Sequence, residues 1–398
     1  MYEFPIKRRR QHQNMDFSLS ETQRMMVDAA KRLVEKHIQP ILEANDKDRG
    51  LPKAAILEIM AKAADLGLTS ARIPEEGGGA GLRMLDYGLI TEQIPPSVTL
   101  IVQPHEASTA RVYFGCNTEQ KERYLADLMA GRRIACTAST EPDVGSDPRG
   151  VKTTVTEESD HLILNGRKQW ISNSTVCDLM NVTCRKVNAD GTFSFARVLV
   201  DPAESPFEAR EVQMHGLRQA PLGEVLFDGC RVPKRNLCPD TGETAKLLTL
   251  TWLANRPLVG LSAVGLGQKA LDAARQYAGV RKQFGRYIGG FQLIQNDLAE
   301  IETAVVTSRL LCYHALAALD RGERANGLSA MAKRYAVDSC DRAIALAMRI
   351  HGAMGLSREL GLEELARDVR TLTIPDGTPG ILTLIQGREL TGIDPFRQ

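Results

Sequence analysis

The sequence has no excess of either charge sign on which to build a partner class. Lys and Arg number 50, and Asp and Glu number 49. Lys7, Arg8, Arg9 and Arg10 face only Glu3 in the first fourteen residues, leaving 46 basic and 48 acidic residues elsewhere. A nucleic-acid binder carries its basic excess on the folded part, so that class is excluded. No uncharged apolar run approaches the roughly 18–20 residues of a membrane span. The longest candidate, 258–267, is short and interrupted by glycine. The seven histidines form no H-E-x-x-H or paired spacing, which argues against a metal site. No G-x-S-x-G elbow and no phosphate-binding P-loop occurs, so serine hydrolase and nucleotide hydrolase chemistry lack their carriers. Eight cysteines form no C-x-x-C and follow no apolar leader, which predicts reduced thiols in a cytosol-like compartment.

What is present is an ordinary globular composition, 43% hydrophobic and 25% charged over 398 residues, enough for two or three domains. Three stretches differ in period. Residues 15–133 read as a helical domain, with Ser20 and Gln23 as a capping box ahead of an apolar face at three-to-four spacing. Pro40 is expected to bend or end that helix, and a second helix is predicted over 54–66. Residues 134–240 read as a β domain. Asn165-Gly166 and Asp190-Gly191 predict hairpin turns, and 223–233 adds a strand and a turn. Residues 241–398 return to helix, with long runs over 258–280, 292–321 and 329–352 that imply antiparallel packing. Residues 1–14 read as a flexible basic tail, with Met15 as a natural start. The expected fold class is therefore multidomain α+β: a helical N-terminal domain, a middle β-barrel or sandwich and a C-terminal four-helix bundle. Gly265-Leu266-Gly267 through Ala270 fits a loose dinucleotide fingerprint, but it lies inside a helical run and reads as a close helix–helix contact.

Four segments in order carry a resemblance: "TASTEPDVGSD" at 137–147, "NGRKQWISN" at 165–173, the stretch from "NRPLVGL" through "RKQFG" to "FQLIQND" within 255–302, and "HGAMG" with "RDVRTLTIPDGT" at 351–378. The chain resembles the acyl-CoA dehydrogenase family. The resemblance implies FAD held between the β domain and the C-terminal bundle, with an acyl-CoA substrate along the flavin ring. It implies Thr137, Thr140, Gly145, Ser146, Trp170, Ile171 and Ser172 along the flavin. It implies Arg281, Gln283, Phe284 and Gln292 reaching the FAD of a neighbouring subunit, and Arg349, Gly352 and Thr378 completing the cofactor set. Arg349 stands where the family usually has Gln. Ser146, Asn255, Arg256 and Gly377 are the implied substrate contacts.

The family's base is usually a Glu before Gly-Thr, and this chain has Asp376 there. The minority position offers only Asn255. Asp reaches about 1.5 Å less than Glu, one C–C bond. The implied reaction is α-proton abstraction by Asp376 with β-hydride transfer to flavin N5, giving a 2-enoyl-CoA. Two alternatives stand beside it. One is a nitroalkane-oxidase-like enzyme using Asp376 without CoA, and the other an enoyl-CoA reductase running in reverse. The resemblance also implies a homotetramer built as a dimer of dimers, with an electron-transferring flavoprotein as acceptor. No nucleic-acid or membrane partner is expected, and the expected location is bacterial cytoplasm, or the mitochondrial matrix or peroxisome of a eukaryote. In the segment implied to line the acyl pocket, 96–115, Ser97 takes the place where the glutaryl-CoA branch has Arg, and Arg111 lies further along. His105 and Glu106 read as a solvated pair in a Pro-containing loop.

Overall fold

The computed structural model describes residues 18–188, 190–239 and 244–396, with side chains from 251 onward in the last span. The basic tail and Met15 lie outside the described residues. Helices α1 (Glu21–Leu33), α2 (Gln39–Ala44), α3 (Lys53–Asp65), α4 (Met84–Thr91), α5 (Pro96–Gly115) and α6 (Thr118–Met129) come first. The expected capping box is present: Gln23 N–H donates to Ser20 Oγ at 3.1 Å, and Ser20 N–H to Gln23 Oε1 at 3.0 Å. Pro40 does not end the helical path. A π-helical turn over Val34–Ile38 carries the chain into α2, where Pro40 sits in the first turn.

Strands β1 (Ala135–Ala138), β2 (Thr154–Glu157), β3 (His161–Ser172), β4 (Leu179–Val187), β5 (Phe193–Val200), β6 (Glu208–Glu211) and β7 (Leu222–Pro233) form one curled, mixed sheet. The path runs β1-β4-β2-β3-β7-β6, with β5 on the other side of β4. The turn at Asp190-Gly191 joins β4 to β5 as expected. Asn165-Gly166 is a correction. It makes no hairpin but a bulge within the single strand β3, where the pairing with β7 slips between Leu164 and Gly166. Asn165 Oδ1 accepts from Gly229 N–H across the bulge at 2.7 Å. Gly166 has φ +146°, and a Cβ there would lie 2.5 Å from Thr153 Oγ1, so glycine is needed for strand contact rather than for a turn. The turn expected within 223–233 is likewise a continuous strand.

Helices α7 (Thr244–Val280), α8 (Gln292–Asp320), α9 (Asn326–His351), α10 (Leu362–Thr371) and α11 (Pro379–Thr391) close the chain, with the short hairpin β8 (Lys282–Gln283) and β9 (Arg286–Tyr287) after α7. Gly267 lies against Cys340 Sγ and Val305, 3.1 Å from a built Cβ. The glycine pattern in α7 is a close helix contact. All eight cysteines are buried and free. Among the described residues no helix is long and apolar enough to cross a membrane, and no His, Cys, Asp or Glu group has metal-binding geometry.

Candidate active site

Two of the implied cofactor segments meet through the backbone. Gln169 N–H donates to Thr140 carbonyl at 3.0 Å, which joins the loop after β1 to β3. That loop is pinned from inside by Glu141, 4% exposed. Its carboxylate accepts from Lys152 N–H at 2.6 Å, Thr153 N–H at 2.9 Å and Lys168 Nζ at 2.8 Å. Lys168 also donates to the carbonyls of Ser139 at 3.2 Å and Thr183 at 2.7 Å, so its three protons are all matched. Burial pushes the Glu141 carboxyl up, but Lys168 and Thr153 hold it below its ordinary value. Burial pulls Lys168 down against the same partner. Neither residue stands among the expected site residues. Their signal was present in T-E-P and N-G-R-K-Q-W, but the pairing spans 27 positions and no periodicity reveals it.

On this scaffold Trp170 is half exposed at φ +60°, where β3 slips against β7 between Lys168 and Ile171. A bulky residue in the left-handed region costs of order 1 kcal/mol, and the bulge turns the indole outward. Ile171 is buried and Ser172 half-buried beside it. Thr137 Oγ1 is buried without a partner among the described residues, and a Cβ at Gly145 would meet open space. Ser146 is exposed next to it. A flat aromatic face, an orphan hydroxyl and an open glycine fit a flat, hydrogen-bonding cofactor such as the implied flavin. Arg281, Gln283 and Gln292 are exposed, and Phe284 is 94% exposed at φ +51°. Arg349 is ion-paired with Asp297 at 2.6 Å, and Gly352 ends α9 at φ +60°.

Asp376 lies in the turn between α10 and α11 with φ +55°, a conformation Asp tolerates better than most residues. Gly377 follows at φ +116°, and Thr378 stands at the N-cap position of α11 with no side-chain capping bond. Two cations from other helices hold this turn by its backbone. Arg256 Nε donates to the Asp376 carbonyl at 3.1 Å, while its Nη1 donates to Asn326 Oδ1 at 2.8 Å. Lys333 on α9, 1% exposed, donates to the carbonyls of Thr373 at 3.1 Å, Gly377 at 2.6 Å and Pro375. Lys333 was not expected at the site. Nothing in its helical spacing separates it from a solvated lysine. Burial pulls its pKa down to about 7, with the Asp376 charge acting the other way. Burial raises the Asp376 carboxyl, and the charges of Lys333, Arg256, Arg111 and Arg72 act against that rise. Its N–H has no acceptor among the described residues. Asn255 is buried, with its carbonyl accepting from Gln103 Nε2 at 3.4 Å.

His105 and Glu106 are a correction. They lie within α5, not in a loop, and both are 0% exposed. His105 Nε2 lies 3.0 Å from the Leu128 carbonyl and Nδ1 accepts from Ala135 N–H at 3.0 Å. Burial lowers this imidazole to about 4, so it is neutral and structural. Glu106 accepts from Arg72 N–H at 3.0 Å, from Arg72 Nε at 2.7 Å and from Arg72 Nη2. Proline at 104 suggested a loop. Pro95 is the N-cap of α5 and Pro96 its first residue, and the helix passes through Pro104.

Comparison with known proteins returns three family models in chain order. They are the acyl-CoA dehydrogenase N-terminal domain over 20–132, middle domain over 136–230 and C-terminal domain over 247–391. A glutaryl-CoA dehydrogenase of Desulfococcus multivorans is 32% identical over 388 residues, 95% of this chain and 99% of that protein. A 3-(aryl)acrylate reductase of Clostridium sporogenes is 32% identical, covering 92% and 97%. The structure of a glutaryl-coenzyme A dehydrogenase in complex with glutaryl-CoA superposes with TM-score 0.86 at 30% identity, over 95% of this chain and 97% of that one.

Proposed function

The chain belongs to the acyl-CoA dehydrogenase family, and we propose that Asp376 is the base with which it takes a proton from the carbon beside an acyl-CoA carbonyl. It is an FAD-dependent oxidoreductase of acyl-CoA thioesters. FAD, when bound, supplies the acceptor for the hydride that leaves the neighbouring carbon. Thr137, Thr140, Gly145, Ser146, Trp170, Ile171 and Ser172 would hold the flavin from the β side. Arg349, Gly352 and Thr378 complete the same set. The observation that carries the assignment is the Asp376 turn: a half-buried carboxylate with a raised pKa, held by its backbone so that its side chain stays free to accept a proton. The Asp376 N–H and the surrounding cations would stabilise negative charge growing on the thioester oxygen. Ser146, Asn255, Arg256 and Gly377 are the substrate contacts of this reading.

The test is an anaerobic visible spectrum of the purified flavoprotein with acyl-CoAs and, separately, nitroethane. Bleaching by an acyl-CoA supports the dehydrogenase reading. Bleaching by nitroethane alone would transfer the protein to nitroalkane oxidation with the same base. The reductase relative acts in the opposite sense, and the same residues would return the proton. Comparing 2-enoyl-CoA with acyl-CoA as reactants decides the direction. An electron-transferring flavoprotein is the acceptor of this reading.

Lys333 is a positioning residue here. Its replacement by methionine keeps much of the volume and removes three donors to one turn. A displacement of about 1 Å at the base costs roughly a hundredfold in rate. Lys333→Met is therefore expected to lower the limiting rate of flavin reduction about that much, with acyl-CoA KM little changed. Stopped-flow reduction over a substrate series separates the two constants.

The assembly is a homotetramer on this reading, with Arg281, Gln283, Phe284 and Gln292 reaching a neighbouring subunit's cofactor. The support is an apolar surface around the β8–β9 hairpin, where Phe284 is 94%, Leu293 80% and Val280 66% exposed. Such a patch marks an interface. Sedimentation equilibrium should return four chains per particle, and a single-chain mass would exclude this arrangement.

A further inference from the structure

Among the described residues Arg111 is a cation of this site with no partner. It is 5% exposed on α5, and its Nε is buried without an acceptor. Among the described residues no carboxylate lies within ion-pair distance of it and no hydrogen bond from its guanidinium exists. Its neighbours are otherwise engaged. Arg72 is paired with Glu106, Arg256 serves the Asp376 carbonyl and Asn326, and Lys333 serves three carbonyls. Arg197 gives its guanidinium to the carbonyls of Arg111, at 3.5 Å, and Gly115. Asp376 and Glu106 are the carboxylates that share this space with Arg72, Arg111, Arg256 and Lys333. Burial and the charges of Arg197 and Arg72 lower the Arg111 guanidinium to about 9, with Asp376 acting the other way.

Position adds a second line. Gln103, Ala107 and Arg111 recur every four residues, so they share one face of α5. Gln103 on that face touches the Asn255 carbonyl of α7, one residue from Arg256. The face that carries Arg111 is therefore the one that looks toward the substrate contacts. Burying a guanidinium unpaired is costly, and a carboxylate, which it can meet with two parallel hydrogen bonds, relieves the cost. Ser97, the place where one branch of the family has its carboxylate-binding Arg, is a serine, so this cation stands at a different position on the helix.

We infer that Arg111 selects acyl-CoA substrates whose acyl chain carries a second, free carboxylate. This rests on the acyl-CoA reading above and names the substrate class for it. A charge-assisted hydrogen bond of the ordinary strength corresponds to a preference of roughly 10- to 150-fold over a neutral chain. The experiment is anaerobic flavin reduction by the holoenzyme with succinyl-, glutaryl- and adipyl-CoA. Butyryl-CoA and the monomethyl ester of glutaryl-CoA serve as neutral counterparts. At least one dicarboxylic thioester should show kcat/KM higher than its neutral counterpart by about that factor. In Arg111→Met the ratio should collapse toward one, and in Arg111→Lys it should partly return. A wild-type enzyme that prefers the neutral thioesters, or a preference that survives Arg111→Met, overturns the inference while leaving the dehydrogenase reading intact. Failure of every thioester to reduce the flavin overturns both. Should Arg111→Met not fold, the acid and methyl ester compared on the wild-type enzyme still decide the matter.

Discussion

Asp376→Asn is expected to slow anaerobic reduction of the flavin by ~10²–10⁴, the ordinary worth of a positioned general base, while the protein stays yellow. Asparagine keeps the shape of the side chain and suits a positive φ, so the turn at φ +55° should persist. The grip of Arg256 and Lys333 is on carbonyls and does not involve the carboxylate. What is lost is the proton acceptor alone. Reduction at the wild-type rate in this variant would remove Asp376 from the mechanism. The wild-type pH profile carries a matching signature. Burial raises the Asp376 carboxyl, and the base works only when ionised. The reduction rate should therefore fall as pH falls, with its acid limb above the usual carboxylate range near 3.9. Asp376→Glu lengthens the reach by about 1.5 Å and should retain proton abstraction at a rate reduced by about a hundredfold.

Lys168→Met is expected to destabilise the protein by about 3–5 kcal/mol and to release FAD. Removing one partner of a buried ion pair leaves the other charge without compensation. Glu141 keeps its two backbone donors in this variant, at 2.6 and 2.9 Å, but loses the ammonium. The carbonyls of Ser139 and Thr183 lose a donor as well. The loop carrying Thr140 is thereby freed from the sheet that places Trp170. The double variant Lys168→Met with Glu141→Gln removes both charges and should recover part of the loss. Thermal unfolding and the fraction of flavin retained on a desalting column measure both effects. Glu141 also makes the pair pH-dependent. Its folded-state value is depressed, so its stabilisation is complete above the ordinary Glu value and is lost as pH falls through the lowered one.

The order of helical, β and helical stretches was legible because each period is written locally. Amphipathic spacing and a capping box place α1, and the long apolar runs place α7, α8 and α9 to within a few residues except at the start of α7. Asp376 was legible by resemblance of its tetrapeptide, whose neighbours Gly377 and Thr378 follow in sequence. Local signals failed where a partner distant in the chain decided the outcome. Asn165-Gly166 is a favoured turn pair, yet pairing with β7 and contact with Thr153 made it a bulge. His105 and Glu106 looked solvated, yet β1, α6 and Arg72 bury both of them.

By itself the sequence determined the fold class and the reaction family, because periodicity, caps and contiguous motifs are all short-range. Only the tertiary structure decided which charges surround Asp376. Lys333 meets a turn 40 to 44 residues away, Arg72 meets Glu106 across 34, and Arg111 finds no partner among the described residues. A charge's worth depends on its burial and on what lies within hydrogen-bond reach, and both are set by packing between helices that the chain order does not display.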